Sequence, residues 1–431
     1  MAGLDNLGVR LKVAVVGAGW AGLSAAVELA AQGVPVTIFE AAPNLGGRAR
    51  GFYRNDIRLD NGQHILLGAY RETLRLMRQV GVEIEQALLR LPLRLETPGH
   101  LKLAAPRLPA PLHLLAGLLS AQGLDWSERW AALRFMTGLH LTGFRLPQDK
   151  TEAELLASQP EKLVRLLWEP LCLAALNTPI QTASAQVFLN VLRDSFGRAR
   201  ADSDLLLPRT DLSTLFPQAA ARYIEQRGGQ VRLTTTVSSV EKQADGITLD
   251  GEHFSHVICA VAPHALPPLL GHLAEMAEPL AAVSRLTYQP ITTVYLQYPE
   301  DTALPFPMLG LTGGHAQWAL DRGSLCGQRG LLAVVISAEG PHMKLDHKTL
   351  AAAVHDELQA MLGDLPIPQW QQVIVEKRAT FACTVNLQRP LNATASEPIF
   401  LAGDYTSGDY PATLEGAVRS GVQCARLLMV S

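Results

Sequence analysis

The chain has 431 residues, of which 48% are hydrophobic and 18% charged, so it is globular, long enough for about two or three domains, and neither disordered nor fibrous. A net charge of -3 with Lys and Arg scattered leaves no basic face for a phosphate backbone, which argues against a nucleic-acid partner. Cys172, Cys259, Cys326, Cys383 and Cys424 lie far apart, with no CxxC and no histidine cluster nearby. That spacing argues against a disulfide framework or a metal site, and for a reducing compartment.

The first residues, MAGLDNLGVR, lack the basic-then-apolar order of a signal peptide, and no uncharged apolar run reaches the ~18 residues of a membrane span. A cytoplasmic, non-spanning protein is expected. Next comes KVAVVGAGWAGLSAAVELAAQGVPVTIFE: an apolar strand (Val13 to Val16), the glycines Gly17, Gly19 and Gly22, an Ala-rich helix, a turn at Gly33, and a second strand closing on Glu40. This is the order of a βαβ dinucleotide fingerprint. Gly17 allows the tight turn, Gly19 lets backbone approach a pyrophosphate over the helix N-terminus, and Gly22 lets helix and strand pack closely, with Ala21 on the same turn. Glu40, about twenty residues on, can accept from ribose hydroxyls.

Both FAD and NAD use that fingerprint. APNLGGRARGF then places Gly46, Gly47 and Arg48 just after the second strand, where a guanidinium can reach a phosphate. IRLDNGQHILLGAYRETLRLMRQVG follows, with Asp60, Gly62, Gln63 and His64 leading into an amphipathic helix. Further along, PRLPAPLHLLAGLLSAQGL sets Leu112, Leu115 and Leu119 on one helical face with Leu114 and Leu118 beside it. Such a helix is core by default. With His113, Arg107 and Lys102 nearby it also suits a membrane surface, near residues 111–120.

The segment GGQVRLTTTVSSVEKQADGITLDGEHFSHVICAVAPHAL reads as alternating strands ending in VICAVAP. Near the end, LAGDYTSGDYPATLEGAVRSG reads as a buried strand stopping at Gly403-Asp404, then a turn and a helix beginning near Thr413-Leu414.

Together the glycine fingerprint, the Gly-Gly-Arg and the Asp-x-Gly-x-His resemble the flavin-dependent amine oxidase and carotenoid desaturase superfamily. The resemblance implies FAD, with Gly62, Gln63 and His64 beside the isoalloxazine ring, and the lack of a cysteine between Gly403 and Gly421 makes noncovalent binding the expectation. It puts Val237 against the adenine and Asp404 near the ribityl or pyrophosphate oxygens. The helix start at Thr413 and Leu414 would then be aimed at the pyrimidine carbonyl, where it favours negative charge on a reduced ring. The fold it implies is α/β: a Rossmann-type FAD-binding domain built from residues 1–85, 210–265 and 375–431. An α+β substrate domain, 86–209 and 266–374, is inserted between those segments.

The strings LWEPLCLAALNTP, ASAQVFLNVLRDSFG and SDLLLPRTDLSTLFP narrow the resemblance to the bacterial squalene-associated branch, the hydroxysqualene dehydroxylases of squalene and hopanoid synthesis. This implies a long isoprenoid substrate and an electron donor for the flavin; a peripheral contact with the inner face of the cell membrane follows only if the Leu-rich helix near 111–120 is interfacial rather than core. It also implies hydride transfer from reduced FAD to an allylic cation formed by loss of water.

Such a site needs one acid beside a long apolar cavity, which the Leu-rich insertions can supply. The candidates are His64, Asp194, Asp211, Asp409 and Tyr410. His64 comes first, because imidazole has a proton available near neutral pH. Asp194 and Asp211 are also expected to pair with Arg193 or Arg209, or to cap helices. Three other readings stand beside this one: a carotenoid desaturase, running the redox from carbon to flavin; an amine oxidase, which wants an aromatic cage in a chain only 6% aromatic; and a lipid-binding chaperone of the GDP-dissociation-inhibitor type, against which the intact flavin motifs speak.

Overall fold

The computed structural model describes residues 11–54 and 56–430, so the expectation drawn from MAGLDNLGVR lies outside them. A five-stranded, all-parallel sheet holds the glycine fingerprint. Its order is Gln230–Arg232, Val36–Phe39, Val13–Val16, His256–Cys259 and Ile399–Leu401. The sequence VAVV is buried at every position, as a parallel strand covered on both faces must be. Alternation sorts its side chains: Val13 and Val15 join a core with helices Trp20–Ala31 and Leu414–Leu428, while Ala14 and Val16 face Phe39 and Phe254. Phe254 closes an antiparallel meander, Val240–Gln243, Gly246–Leu249 and Glu252–Phe254.

The two helices cross closely. A Cβ on Gly421 would overlap the Ala21 carbonyl, so a side chain at that crossing would push the helices apart.

A second five-stranded sheet is antiparallel, in the order Met308–Gly310, Trp318–Asp321, Leu331–Ser337, Tyr288–Gln297 and Trp370–Phe381. One face packs Val294, Leu332, Val334 and Ile336 against Leu350, Val354 and Leu358 of helix His347–Leu362. The other face presents Met308, Trp318, Leu320, Val335 and Ile291 to an interior cavity. Strand Trp370–Phe381 pairs along its length with Tyr288–Gln297, so the boundary expected at residue 375 falls inside this second sheet.

Helices from the first insertion roof the cavity, chiefly Ala185–Phe196 and the run Glu161–Leu176, which widens to a π-helical turn at Val164–Trp168. The Leu-rich segment is a helix, Leu112–Leu119, half in the core: Leu114, Gly117 and Leu118 are buried and Leu112 is 55% exposed. His113 does not face a membrane surface. It is fully buried with its Nε2 3.1 Å from Ser203 Oγ, because the helix turns that side inward. Leu108 and Leu112 are exposed, as are Trp126 and Trp130 of the following helix, Trp126–Leu141, with Arg129 stacked over Trp126. Among the described residues no helix is long and apolar enough to cross a membrane.

Candidate active site

One cavity of about 910 Å³ runs from the glycine fingerprint into the second sheet. At its first end Gly17 has φ +107, and a Cβ there would stand 2.7 Å from the Ala260 carbonyl oxygen, so glycine is required for the turn itself. At Gly22 a Cβ would overlap the Gly17 carbonyl, which fixes the close packing of helix on turn. Gly19 differs. Its φ of -74 is ordinary, and the nearest atom to an added Cβ is the Gly47 Cα at 3.9 Å, so that side of it opens toward the cavity.

Gly46 and Gly47, at φ +111 and +61, lay the second glycine pair on the first: Gly46 N–H donates to the Ala18 carbonyl at 2.9 Å. Glu40 also serves this turn, accepting from the N–H groups of Ala18 at 2.7 Å and Ala42 at 2.8 Å. Glu40 and Val237 both line the cavity.

Arg48 donates to Asp404 Oδ1 at 2.6 Å and to the Ala379 carbonyl at 2.7 Å. These contacts tie the Gly-Gly-Arg motif to the Gly403-Asp404 motif, with Arg48 still on the cavity lining. Burial works against its charge, but Asp404 more than compensates and raises its pKa. Gly403 N–H donates to Ser420 Oγ at 2.9 Å, and Thr413 caps helix Leu414–Leu428 by accepting from Gly416 N–H at 3.1 Å. Thr413 and Leu414 both line the cavity.

The middle of the cavity is bounded by Gly62, Gln63 and His64. Gln63 donates to Tyr295 Oη at 2.7 Å, and Tyr295 in turn holds the backbone of Asp60. Asp60, 2% exposed, pairs with buried Arg322 at 2.7 Å, so the second sheet clamps this segment. His64 lines the cavity, half-buried, and its buried Nδ1 has no hydrogen-bond partner among the described residues. Burial lowers its pKa to about 4. The expected readily available imidazole proton is therefore absent at pH 7: the ring is neutral there.

Two other candidates meet. Tyr410 donates to Asp194 Oδ2 at 2.7 Å, and Arg193 Nε donates to Oδ1 at 2.9 Å, with both Asp194 and Tyr410 on the cavity wall. Burial disfavours the Asp194 carboxylate, but Arg193, Tyr410 and Arg419 outweigh it and hold its pKa below the usual range. Burial pushes the Tyr410 phenol well up. Asp211 and Asp409 are elsewhere. Asp211 caps Leu212–Leu215 and pairs with Arg58 at 2.6 Å rather than with Arg209, and Asp409 is an exposed partner of Arg193 at 3.3 Å.

Beyond this pair the wall is apolar: Leu93, Leu95, Leu171, Phe188, Leu192, Met308 and Trp318. No local spacing marks these residues, because they come from separate elements. Arg389, also unmarked in the sequence, holds the 404–410 turn by donating to the carbonyls of Tyr410 at 3.0 Å, Asp404 at 3.3 Å and Gly408. Glu415, buried in the first turn of the last helix, accepts from Thr73 N–H at 2.9 Å and pairs with Arg419 at 2.7 Å.

Residues 20–429 match the family described as flavin containing amine oxidoreductase. The chain belongs to that family. This flavoenzyme is 28% identical to a hydroxysqualene dehydroxylase of Sinorhizobium fredii over 97% of its own length and 98% of that protein. It is 24% identical to a zeta-carotene desaturase of Synechocystis, with 98% of each chain covered. An oxidoreductase structure from Methanosarcina mazei superposes with a TM-score of 0.74 at 15% identity, over 96% of this chain and 100% of that one, which shows the shared fold. The flavoenzyme is an FAD-dependent oxidoreductase. Its residues fit the cofactor: strained glycines, an open Gly19, an acid at the second strand end and a capped helix start converge on one cavity.

Proposed function

We propose that this flavoenzyme reductively dehydroxylates hydroxysqualene to squalene. The observation that carries the reading is that one cavity is lined both by the FAD motifs with Gln63 and His64 and by a large apolar set from the two insertions, with Asp194 and Tyr410 also on its wall. A relative named hydroxysqualene dehydroxylase, matched along both chains, supports the same substrate class.

Bound and reduced, FAD supplies a hydride. Gly17, Gly19, Ala21, Gly22, Glu40, Gly47 and Val237 would hold its adenylate half, and Arg48, Gly403, Asp404, Thr413 and Leu414 the half nearer the ring, which Gly62, Gln63 and His64 would flank.

This chain's own task is to let hydroxyl leave an allylic carbon as water. Neutral His64 is a poor donor for that: with a pKa of about 4, roughly one ring in a thousand is protonated at pH 7. Its role in this reading is contact with the cofactor. Asp194, which Arg193, Tyr410 and Arg419 hold as the carboxylate, would face the allylic cation once water has left and stabilise its charge.

The substrate is too apolar to arrive through water. The exposed flank of Leu108, Leu112, Trp126 and Trp130 would rest on the inner face of the membrane, with indoles at the interface and Arg129 among headgroups. A carotenoid desaturase is the second reading, supported by the zeta-carotene desaturase relative. Anaerobic turnover of hydroxysqualene by reduced enzyme, against turnover of phytoene by oxidised enzyme, separates the two.

A further inference from the structure

The apolar lining is thin at one place. Leu95, Leu171 and Trp318 line the main cavity and, on their other side, a hollow of about 20 Å³, room for about one water. Past that hollow the wall includes Arg165, whose side chain is exposed, on the π-helical turn Val164–Trp168. Single π-turns inside helices recur at functional sites.

Trp318 sits opposite Gly310 on the neighbouring strand, and a Cβ on Gly310 would meet Thr97 Oγ1 at 2.6 Å and the indole Cζ3 at 3.5 Å. The glycine thus leaves the space the indole fills. The indole Nε1 is buried with no hydrogen-bond partner among the described residues, so the ring is held by packing alone. An unanchored indole between a large cavity and a water-sized hollow is a partition that a shorter side chain would open.

We infer that Trp318, backed by Leu95 and Leu171, is the specificity-determining partition that limits the length of isoprenoid chain the cavity accepts. The inference rests on the isoprenoid reading above. A chain that fits lies between the flavin motifs and the indole; one prenyl unit more must enter the hollow, which is too small for it.

The test uses FAD-loaded enzyme and linear isoprenoid alcohols lengthened one prenyl unit at a time, with binding read from the perturbation of the flavin absorbance. Wild type is expected to bind each longer alcohol more tightly up to a limiting length and then lose affinity. Trp318→Ala and, independently, Leu95→Ala should shift that limit outward, with the first excluded alcohol bound about tenfold more tightly or better, as burying even part of a prenyl unit provides. Trp318→Phe should keep the wild-type limit. An unchanged flavin spectrum certifies each fold. If Trp318→Ala and Leu95→Ala retain flavin and the wild-type limit, the partition is refuted. If no alcohol of any length perturbs the wild-type flavin, the isoprenoid reading fails, and the partition with it.

Discussion

The three glycines of the first turn do different work, and a methyl group at each should separate them. At Gly19 the backbone is extended, φ -74 and ψ 177, and an added Cβ is 3.9 Å from its nearest neighbour, so Gly19→Ala meets no clash in the apoprotein. Restricting the unfolded chain stabilises by about 0.4–1 kcal/mol, and losing a glycine at a helix N-cap costs a similar few tenths or more. The apoprotein Tm should stay within a few degrees of wild type.

The same methyl projects into the space a pyrophosphate must occupy. FAD binding should therefore be lost, and with it the holoprotein's extra stability, about 2.7 kcal/mol when ligand is at a hundredfold excess over Kd. At Gly22 the added Cβ overlaps a backbone carbonyl, and at Gly17 it meets Ala260 at a positive φ. Those variants should lose roughly 3 kcal/mol or more without any ligand present. Thermal scans of apoprotein with and without added FAD, together with absorbance near the flavin maximum, measure all three. A Gly19→Ala protein that is yellow and shows the wild-type FAD-induced rise in Tm would refute the assignment of this turn to the pyrophosphate.

Asp194→Asn should lower turnover by about 10²-fold or more while leaving flavin content unchanged, and Tyr410→Phe should do less, because it removes a partner rather than the negative charge; single-turnover rates of reduced enzyme check both. His64 has a folded pKa of about 4, below its ordinary value near 6.5, so the unfolded chain binds more protons and folding stability falls as pH drops from about 6.5 to 4. His64→Gln should remove that part of the acid sensitivity, worth up to about 3 kcal/mol, in urea melts of apoprotein across this range. Trp126→Ser with Trp130→Ser should weaken cosedimentation with anionic vesicles without changing Tm by more than a few degrees, since both rings are exposed. No cysteine is among the residues lining the cavity, so acid precipitation should release the flavin into the supernatant, and colour kept in the pellet would show a covalent bond.

What the sequence made legible is what is encoded locally. The glycine spacing, the apolar strand and the acid at its end sit within one βαβ unit, and the structure assembles them in that order. Arg48 was recognisable as a guanidinium near the cofactor, but not its partner: Asp404 lies 356 residues on, and no local rule links them. Asp194 and Tyr410 each stood out singly, while their 2.7 Å contact spans 216 residues. For His64, residue type gives only the ordinary imidazole pKa, while its surroundings in the fold give the shift. The apolar lining was invisible as a list of residues, since a Leu that lines a cavity and a Leu that fills a core obey the same periodicity.

The central claim is that electrons run from flavin to carbon at an allylic centre that has lost water. The direct measurement is a single anaerobic turnover of hydroxysqualene by enzyme reduced in heavy water. The account predicts squalene with deuterium on the carbon that carried the oxygen, and no action of oxidised enzyme on phytoene. Reduced enzyme that leaves hydroxysqualene untouched, while oxidised enzyme introduces double bonds into phytoene, would contradict it.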